Sequence, residues 1–531
     1  MTEHAVTAAP VDPAGTAGPD AGGRPERGRR RRREAAGPAG PAQPPWRTVR
    51  RGIGPVRAVS DDALESIVDA AYRVLAETGL DFLLPEARRR WQEAGAQVDG
   101  ERVRLPRQLV EELLASAPPT FTLHARNPAH DLTIGGDAVA FAAVASAPYV
   151  GDEAGGRRPG NLADFENLVR LSQTLTAVHL HGGYPVEPTD VHASVRHLTA
   201  TRSILGLSDK VPHAYSLGAQ RNRDCLELVR IARGVDDATL RREPSIHTVV
   251  NASSPLRYDA PMLEGILEFS AQGQAVVITP FTLAGAMAPV TVAGALVQQH
   301  AEALAGLAFT QLVRPGAPVM YGGFTSNVDM RSGAPAFGTP EFMKAALVGG
   351  QLARHVGVPY RSSNVCAANA VDAQAGYESV FSLWGAVLGG ANLVMHGAGW
   401  MEGGLRASFE KMVLDADLLQ MVAAFLDPVL VDDASLAVEA IAEVGPGGHF
   451  FGIQHTQDRF RDAFFAPMVS DWRNVEAWQE AGSPTALDHA SRLVRELLDA
   501  YEQPPMPDDV AAGLDEFVAR RVAEGGVPTD F

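Results

Sequence analysis

The sequence predicts an α/β fold of the (β/α)8 kind, a TIM barrel, and three observations carry the prediction. Eight short apolar runs end in Gly, Pro, Ser or Asn, and an amphipathic helical segment separates each run from the next. No run is followed by the Gly-x-Gly-x-x-Gly turn of an open dinucleotide-binding sheet. Runs apolar at nearly every position suit strands of a parallel sheet covered on both faces by helices. Eight such units close naturally into a barrel, and an open doubly wound sheet is the alternative.

Taken in order, residues 1–45 form a Pro/Gly/Ala-rich stretch around a basic run, Arg27 to Arg33. Such a composition buries too little surface to fold, so a disordered basic tail is predicted. From 46 to 135 the segments DDALESIVDAAYRVLAETGL, LPEARRRWQEAGA and LPRQLVEELLASAP repeat apolar residues at helical spacing, a helical lead-in with Ser60 or Asp61 as first cap. Residues 136–405 hold the eight runs: AVAFAAVASAP, TAVHLHGGYP, PHAYSLGA, SIHTVVNASSP, AVVITPFTLAG, PVMYGGFTSN, PYRSSNVCAA and NLVMHGAGWMEGG. Residues 406–531 read as further helices, FEKMVLDADLLQMVAAFL and SLAVEAIAEVG among them, packed on the barrel around an extended insert.

The totals exclude several classes. Of 531 residues 46% are hydrophobic and 21% charged, no apolar run is long enough to span a bilayer, and the start lacks a secretory pattern, so a cytoplasmic protein without membrane contact is expected. A net charge of −17 argues against nucleic acid as partner. Cys225 and Cys366 are the only cysteines, so neither a disulfide framework nor a cysteine zinc site is expected, and no metal is assigned.

In a barrel the loops after the strand C-termini form the mouth of the active site. They carry Phe281, Tyr321, Asn327, Asp329, His396, Trp400 and Glu402, with Arg361 in the seventh run itself and Tyr377 on the following helical segment. This rim is aromatic and neutral-polar and offers no Lys for Schiff-base chemistry. His181 and His396 with Asp152 and Glu402 could serve a metal-dependent hydrolase or lyase. Aromatic faces with one or two acids suit another ligand, a methylated ammonium, which has no N–H to donate and is held by ring faces instead. The glycines of GAGWMEGG read as room for a bulky neighbour, and His179 and His247 as satisfied core histidines.

YGGFTSNVDMRSGAPAFGTPEF, DAQAGYES, LVMHGAGWMEGGL and HFFGIQHTQDRFRDAFFAPMVSDW together resemble the trimethylamine methyltransferase family, from about Arg51 to the C-terminal helices. The resemblance implies a barrel that moves a methyl group from a methylated amine to the Co(I) corrinoid of a separate small corrinoid protein. The chain shows no D-x-H-x-x-G corrinoid motif of its own. Founding members carry pyrrolysine just before the DAQA-like segment; here Asn364 to Ala370 are ordinary side chains, five of the seven small and apolar. That places the chain in the branch without pyrrolysine, of the glycine betaine methyltransferase type. A quaternary amine leaves as a neutral tertiary amine without activation, so glycine betaine or a related N-methylated betaine is the expected substrate. Trimethylamine or another methylamine, and a non-catalytic betaine binder, are the alternatives. Tyr321, Phe281, Tyr377 and Trp400 are the cage candidates, with Asn327 beside them. Arg361, His396 and His455 are candidates for the betaine carboxylate, and Asp329, His396 and Glu402 for any catalytic role. A homo-oligomer is expected.

Overall fold

The computed structural model describes residues 41–152 and 156–529. The run Arg27 to Arg33 and nearly all of the predicted tail lie outside the described residues. Near the start of the described residues, the Gln43 side-chain carbonyl accepts a hydrogen bond from the Thr176 amide at 3.1 Å.

A seven-stranded sheet organises the molecule. In chain order its strands are β1 (Val49–Arg50), β2 (Ala138–Ala143), β3 (His247–Val250), β4 (Ala275–Ile278), β5 (Val319–Gly322), β6 (Tyr360–Ser363) and β7 (Leu393–Ala398). They lie in the order β1-β2-β7-β6-β5-β4-β3, all parallel except β1, which pairs antiparallel with β2. The described helices of twelve or more residues up to the last strand are α1 (Asp61–Arg73), α2 (Leu162–Thr174), α3 (Arg196–Leu207), α4 (Ala219–Arg233), α5 (Ala260–Ala271), α6 (Val292–Val313), α7 (Pro340–Val356) and α8 (Ala373–Gly389), and the lead-in adds the shorter Pro85–Glu93 and Arg107–Leu114. After the sheet come α9 (Phe409–Leu426), α10 (Ala486–Asp499) and α11 (Asp508–Ala523). Ser60 caps α1, accepting from the Ala63 amide, and Thr339 and Asp372 cap α7 and α8 in the same way.

Six of the eight predicted runs are sheet strands. The second and third are not: TAVHLHGGYP and PHAYSLGA contribute only single parallel bridges, Ala142 to Leu180, Leu180 to Val211, and His213 to His247. Gly182 and Gly183 follow the first of these contacts, and Pro212 interrupts the second, where it has no N–H for a ladder. The sheet is therefore curled, with β2 and β3 connected through these bridges.

Side chains on the inner face of the curl are small or apolar: Ala140, Ala142, Leu180, Val211, Ala275, Val277, Met320, Leu393 and Met395 pack as one cluster. Met395 of this cluster also lines a lumen at the strand C-termini. The lead-in adds something the helical spacing did not announce, a small sheet of Leu80–Phe82, Gln97–Asp99, Arg102–Arg104 and Arg257–Tyr258. In the C-terminal region the predicted helix SLAVEAIAEVG is broken at Ala437, which has a φ of 50°, into Asp433–Leu436 and Val438–Val444. No described helix is long and apolar enough to cross a membrane.

Candidate active site

A cavity of about 340 Å3 opens at the C-terminal end of the strands. Two short mouth strands, Phe281–Ala284 and Phe324–Val328, pair in parallel above it, Phe281 beside Phe324. They follow β4 and β5 and are tied to α6 through Thr325, whose hydroxyl donates to Gln299 Oε1 at 2.6 Å. The pairing sets the Phe281 and Phe324 rings 5.2 Å apart. Phe337 packs behind them, 5.8 Å from Phe324 and 5.2 Å from Trp400. Phe281, Phe324 and Trp400 thus form one aromatic wall.

Gly403 and Gly404 make that wall possible. Both have left-handed φ, and a Cβ on Gly404 would lie 2.8 Å from the Trp400 ring. Trp400 is the bulky neighbour for which these glycines leave room.

Opposite stands Arg361, on β6. Its neighbour Tyr360 turns outward to bond the Ala346 carbonyl at 2.9 Å, so the alternation of a strand sends Arg361 into the lumen. It is 2% exposed, its Nε and Nη1 have no hydrogen-bond partner, and no described carboxylate lies within ion-pair distance. Its guanidinium carbon rests 5.3 Å from the Phe324 ring centre. Burial pushes its pKa down to about 9, so it is charged at neutral pH. None of the described residues lining the cavity is Asp, Glu or Lys.

His396 adds a ring beside it. β7 carries a register shift between Val394 and Ala398, and His396 within it has a φ of 56°, the left-handed region. The ring stacks on Trp400 at 5.3 Å and 24°, and its Nδ1 has no partner. Burial, then the charge of Arg361, holds its pKa well below the usual histidine range, so the ring is neutral. On the other side Tyr215 bonds Ser146 Oγ through its hydroxyl at 2.8 Å.

Phe281, Arg361, His396 and Trp400 are therefore brought together. The other predicted residues lie elsewhere. Tyr321 is buried against α6, its hydroxyl 3.3 Å from Gln299 Nε2 and 3.2 Å from His300 Nδ1. The Asn327 side-chain carbonyl accepts from Thr339 Oγ1 at 2.9 Å, tying the mouth strand to the cap of α7. Asp329 is an exposed turn residue that accepts from its own Ser332, which holds its pKa below the usual carboxylate value. Tyr377 is 62% exposed on α8, and His455 sits half-buried on the short helix Gln454–Arg459. Glu402 is held by two arginines, Arg157 Nε at 3.1 Å and Arg406 Nε at 3.2 Å, which cancel the field it was expected to supply. Among the described residues no group of three or more His, Cys, Asp or Glu is placed to hold a metal ion.

His213, Tyr215, Phe324 and Thr279 also line the cavity. His179 is satisfied, accepting from the Phe141 amide at 3.0 Å and bonded to the Arg47 carbonyl at 3.1 Å. His247 is buried too, its ring beside the Pro212 backbone, which offers it a hydrogen bond.

The loop after β6, Asn364 to Asp372, is organised by Glu378 of α8. Its carboxylate accepts from the Ala367 and Ala368 amides at 2.8 and 3.0 Å and from Gln374 Nε2 at 2.8 Å. That loop in turn receives the Glu402 and Gly403 amides, so it braces the turn carrying Trp400. Glu378→Ala orphans two backbone donors at a cost of about 1–3 kcal/mol each. Hydrogen exchange over residues 365–370 is expected to quicken on this substitution, and unchanged protection there would refute the bracing role.

Comparison with known proteins adds the following. The family model described as trimethylamine methyltransferase matches residues 25–526. A glycine betaine methyltransferase of Desulfitobacterium hafniense (strain Y51) is 35% identical over 469 residues, covering 88% of this chain and 98% of the relative. A trimethylamine methyltransferase of D. hafniense (strain DSM 10664 / DCB-2) is 29% identical over 478 residues, covering 88% and 94%. Among solved structures, the monomethylamine methyltransferase of Methanosarcina barkeri resembles the chain in fold, with a TM-score of 0.50, 13% identity and 84% and 89% coverage.

Proposed function

Since the chain belongs to the trimethylamine methyltransferase family, we propose that it demethylates a carboxylate-bearing quaternary amine, glycine betaine or a related N-methylated betaine, passing the methyl group to the Co(I) corrinoid of a separate protein. The single observation that carries this reading is Arg361. A buried, unpaired guanidinium costs several kcal/mol unless something neutralises it. A cavity with one fixed cation and, among the described residues, no lining carboxylate holds a simple cation such as choline more weakly than a zwitterion, whose carboxylate pairs with the arginine.

The residues of the chain then divide the work. Arg361 anchors the carboxylate, and His396 is positioned to donate to it from its free nitrogen. Phe281, Phe324 and Trp400 offer ring faces to the N-methyl groups, at about 0.5–2 kcal/mol per ring. The partner's corrinoid supplies the nucleophile. The N–CH3 bond breaks with its electron pair going to nitrogen, so the amine leaves neutral and no proton donor is needed. Fixing one N–CH3 bond in line and excluding water is what the protein contributes.

The test is spectral. A Co(I) corrinoid protein mixed with this chain is expected to lose its Co(I) absorption on adding glycine betaine or a related betaine, and not on adding choline or trimethylamine. Faster turnover of trimethylamine than of any betaine sinks the proposal, and tight betaine binding without turnover assigns the chain as a binding protein. Because Arg361 stays charged and His396 neutral, betaine affinity is expected to be flat between about pH 6 and pH 8. A midpoint near 6.5 in a calorimetric pH series would contradict that.

The same proposal includes a closed (β/α)8 barrel, supported by the bridges at Leu180, Val211 and His213, inside the predicted boundaries 46–135, 136–405 and 406–531. It also includes a cytoplasmic setting and protein partners, a corrinoid protein and a second copy of the chain. Val429, Leu430, Phe451, Phe464 and Trp472 are exposed along the C-terminal insert and support such contacts.

A further inference from the structure

We propose that His213 is a second carboxylate-binding residue of this pocket, donating a hydrogen bond from a neutral imidazole to the same carboxylate that Arg361 pairs with. The inference rests on the betaine reading above and adds a residue that the sequence did not single out.

Placement comes first. Val211 and His213 are two apart and face the same side of an extended segment. Val211 belongs to the cluster inside the curl, together with Leu393, the register partner of Arg361. His213 and Arg361 therefore project into one lumen from separate segments of its wall, and both line the cavity. His213 is 1% exposed. Its ring packs edge-to-face on His247 at 4.8 Å and on Tyr215 at 5.1 Å.

Chemistry comes second. Neither ring nitrogen of His213 has a hydrogen-bond partner in the protein. A neutral imidazole carries one N–H donor and one acceptor, and leaving either dry costs about 1–3 kcal/mol. A quaternary ammonium has no N–H and no lone pair, so it satisfies neither. A carboxylate satisfies the donor. His247, His396, Arg361 and His181 act on His213, and all four are bases. Burial and these neighbours keep the ring neutral, which suits a ligand carrying one negative charge already matched by Arg361. His247, which does not line the cavity but packs edge-to-face on His213, is a positioning residue for it.

Calorimetric titration of the full chain with three ligands tests the assignment. Glycine betaine has both charges, 3,3-dimethylbutanoate has the same shape and carboxylate without the cation, and choline has the cation without the carboxylate. His213→Leu is expected to weaken the two carboxylates alike, by roughly 10- to 100-fold, and to leave choline as it was. His213→Gln, which keeps an N–H donor, is expected to recover most of that loss. Unchanged glycine betaine affinity in His213→Leu, an equal loss for all three ligands, or no recovery in His213→Gln overturns the role of His213 while leaving the betaine reading intact. A wild-type chain that binds neither carboxylate overturns the betaine reading itself. If His213→Leu does not fold, nitrogen-15 spectra of histidine-labelled wild type read the same contact. A His213 ring N–H is expected to shift with 3,3-dimethylbutanoate and not with choline, and no shift refutes the contact.

Discussion

Arg361→Met is expected to abolish betaine binding and, in the same protein, to raise the temperature at which the chain unfolds. Losing a charge-assisted, bidentate contact to a carboxylate removes about 3–5 kcal/mol, or roughly 100- to 5,000-fold in affinity. The stability change has the opposite sign because the guanidinium is 2% exposed and lacks an ion-pair partner. Met fills similar volume without the desolvation cost, and replacing buried charge by packed apolar groups stabilises by about 1–4 kcal/mol. Burial depresses the pKa of Arg361 to about 9, so the penalty is complete below that pH and declines above it, where the folded state binds fewer protons than the unfolded one. Wild type should therefore gain relative stability as pH rises past about 9, and Arg361→Met should show no such gain. Saturating glycine betaine should lift the wild-type unfolding temperature and leave the variant unmoved. Thermal scans at one fixed rate, with and without ligand, check all of this. A less stable Arg361→Met would mean that the guanidinium has a partner in the free protein.

Much of the pocket was legible because strand ends are marked in sequence by Gly, Ser and aromatic residues. Trp400 and Phe281 sit just past such an end, and Arg361 and His396 lie within β6 and β7, beside Ser362 and Gly397. Tyr321 was misplaced for a reason of parity. VMYG is apolar throughout, as befits a strand buried on both faces, so nothing in it says which side chains face inward. Met320 does, and Tyr321 meets α6. His213 was hidden behind Pro212, which obscures the extended segment, although its spacing of two from Tyr215 was an available signal. Phe324 and the pairing of the two mouth strands depend on contacts between distant segments, and no local pattern reports these. The two missing sheet strands have a local cause, in Gly182, Gly183 and Pro212.

Lys411→Met is expected to cost about 3–5 kcal/mol of stability, because it strands a carboxylate in the core beneath the active-site turn. Lys411 and Asp415 on α9 are 2% and 3% exposed and form an ion pair. Lys411 also donates to Ser379 Oγ at 2.7 Å, and Asp415 accepts from the Gly399 amide at 2.9 Å. Gly399 precedes Trp400 and has a φ of 98°, so this bond fixes the turn from which the aromatic wall is built. Burial already raises the pKa of Asp415, and only the lysine and its hydrogen bonds oppose that rise. Without Lys411 the carboxyl group is pushed further up. A group with a raised folded pKa favours the fold at low pH and loses that contribution as pH rises through it. The variant should thus be weakest at neutral pH and recover partly on acidification. Adding Asp415→Asn removes the stranded charge while keeping an acceptor for Gly399. The double variant should regain all but about 1 kcal/mol, together with the betaine affinity that the single variant loses through a loosened Trp400. If Lys411→Met alone unfolds within about 1 kcal/mol of wild type, the pair does not support the turn, and the wall must owe its position to Gly404 and Phe337 instead.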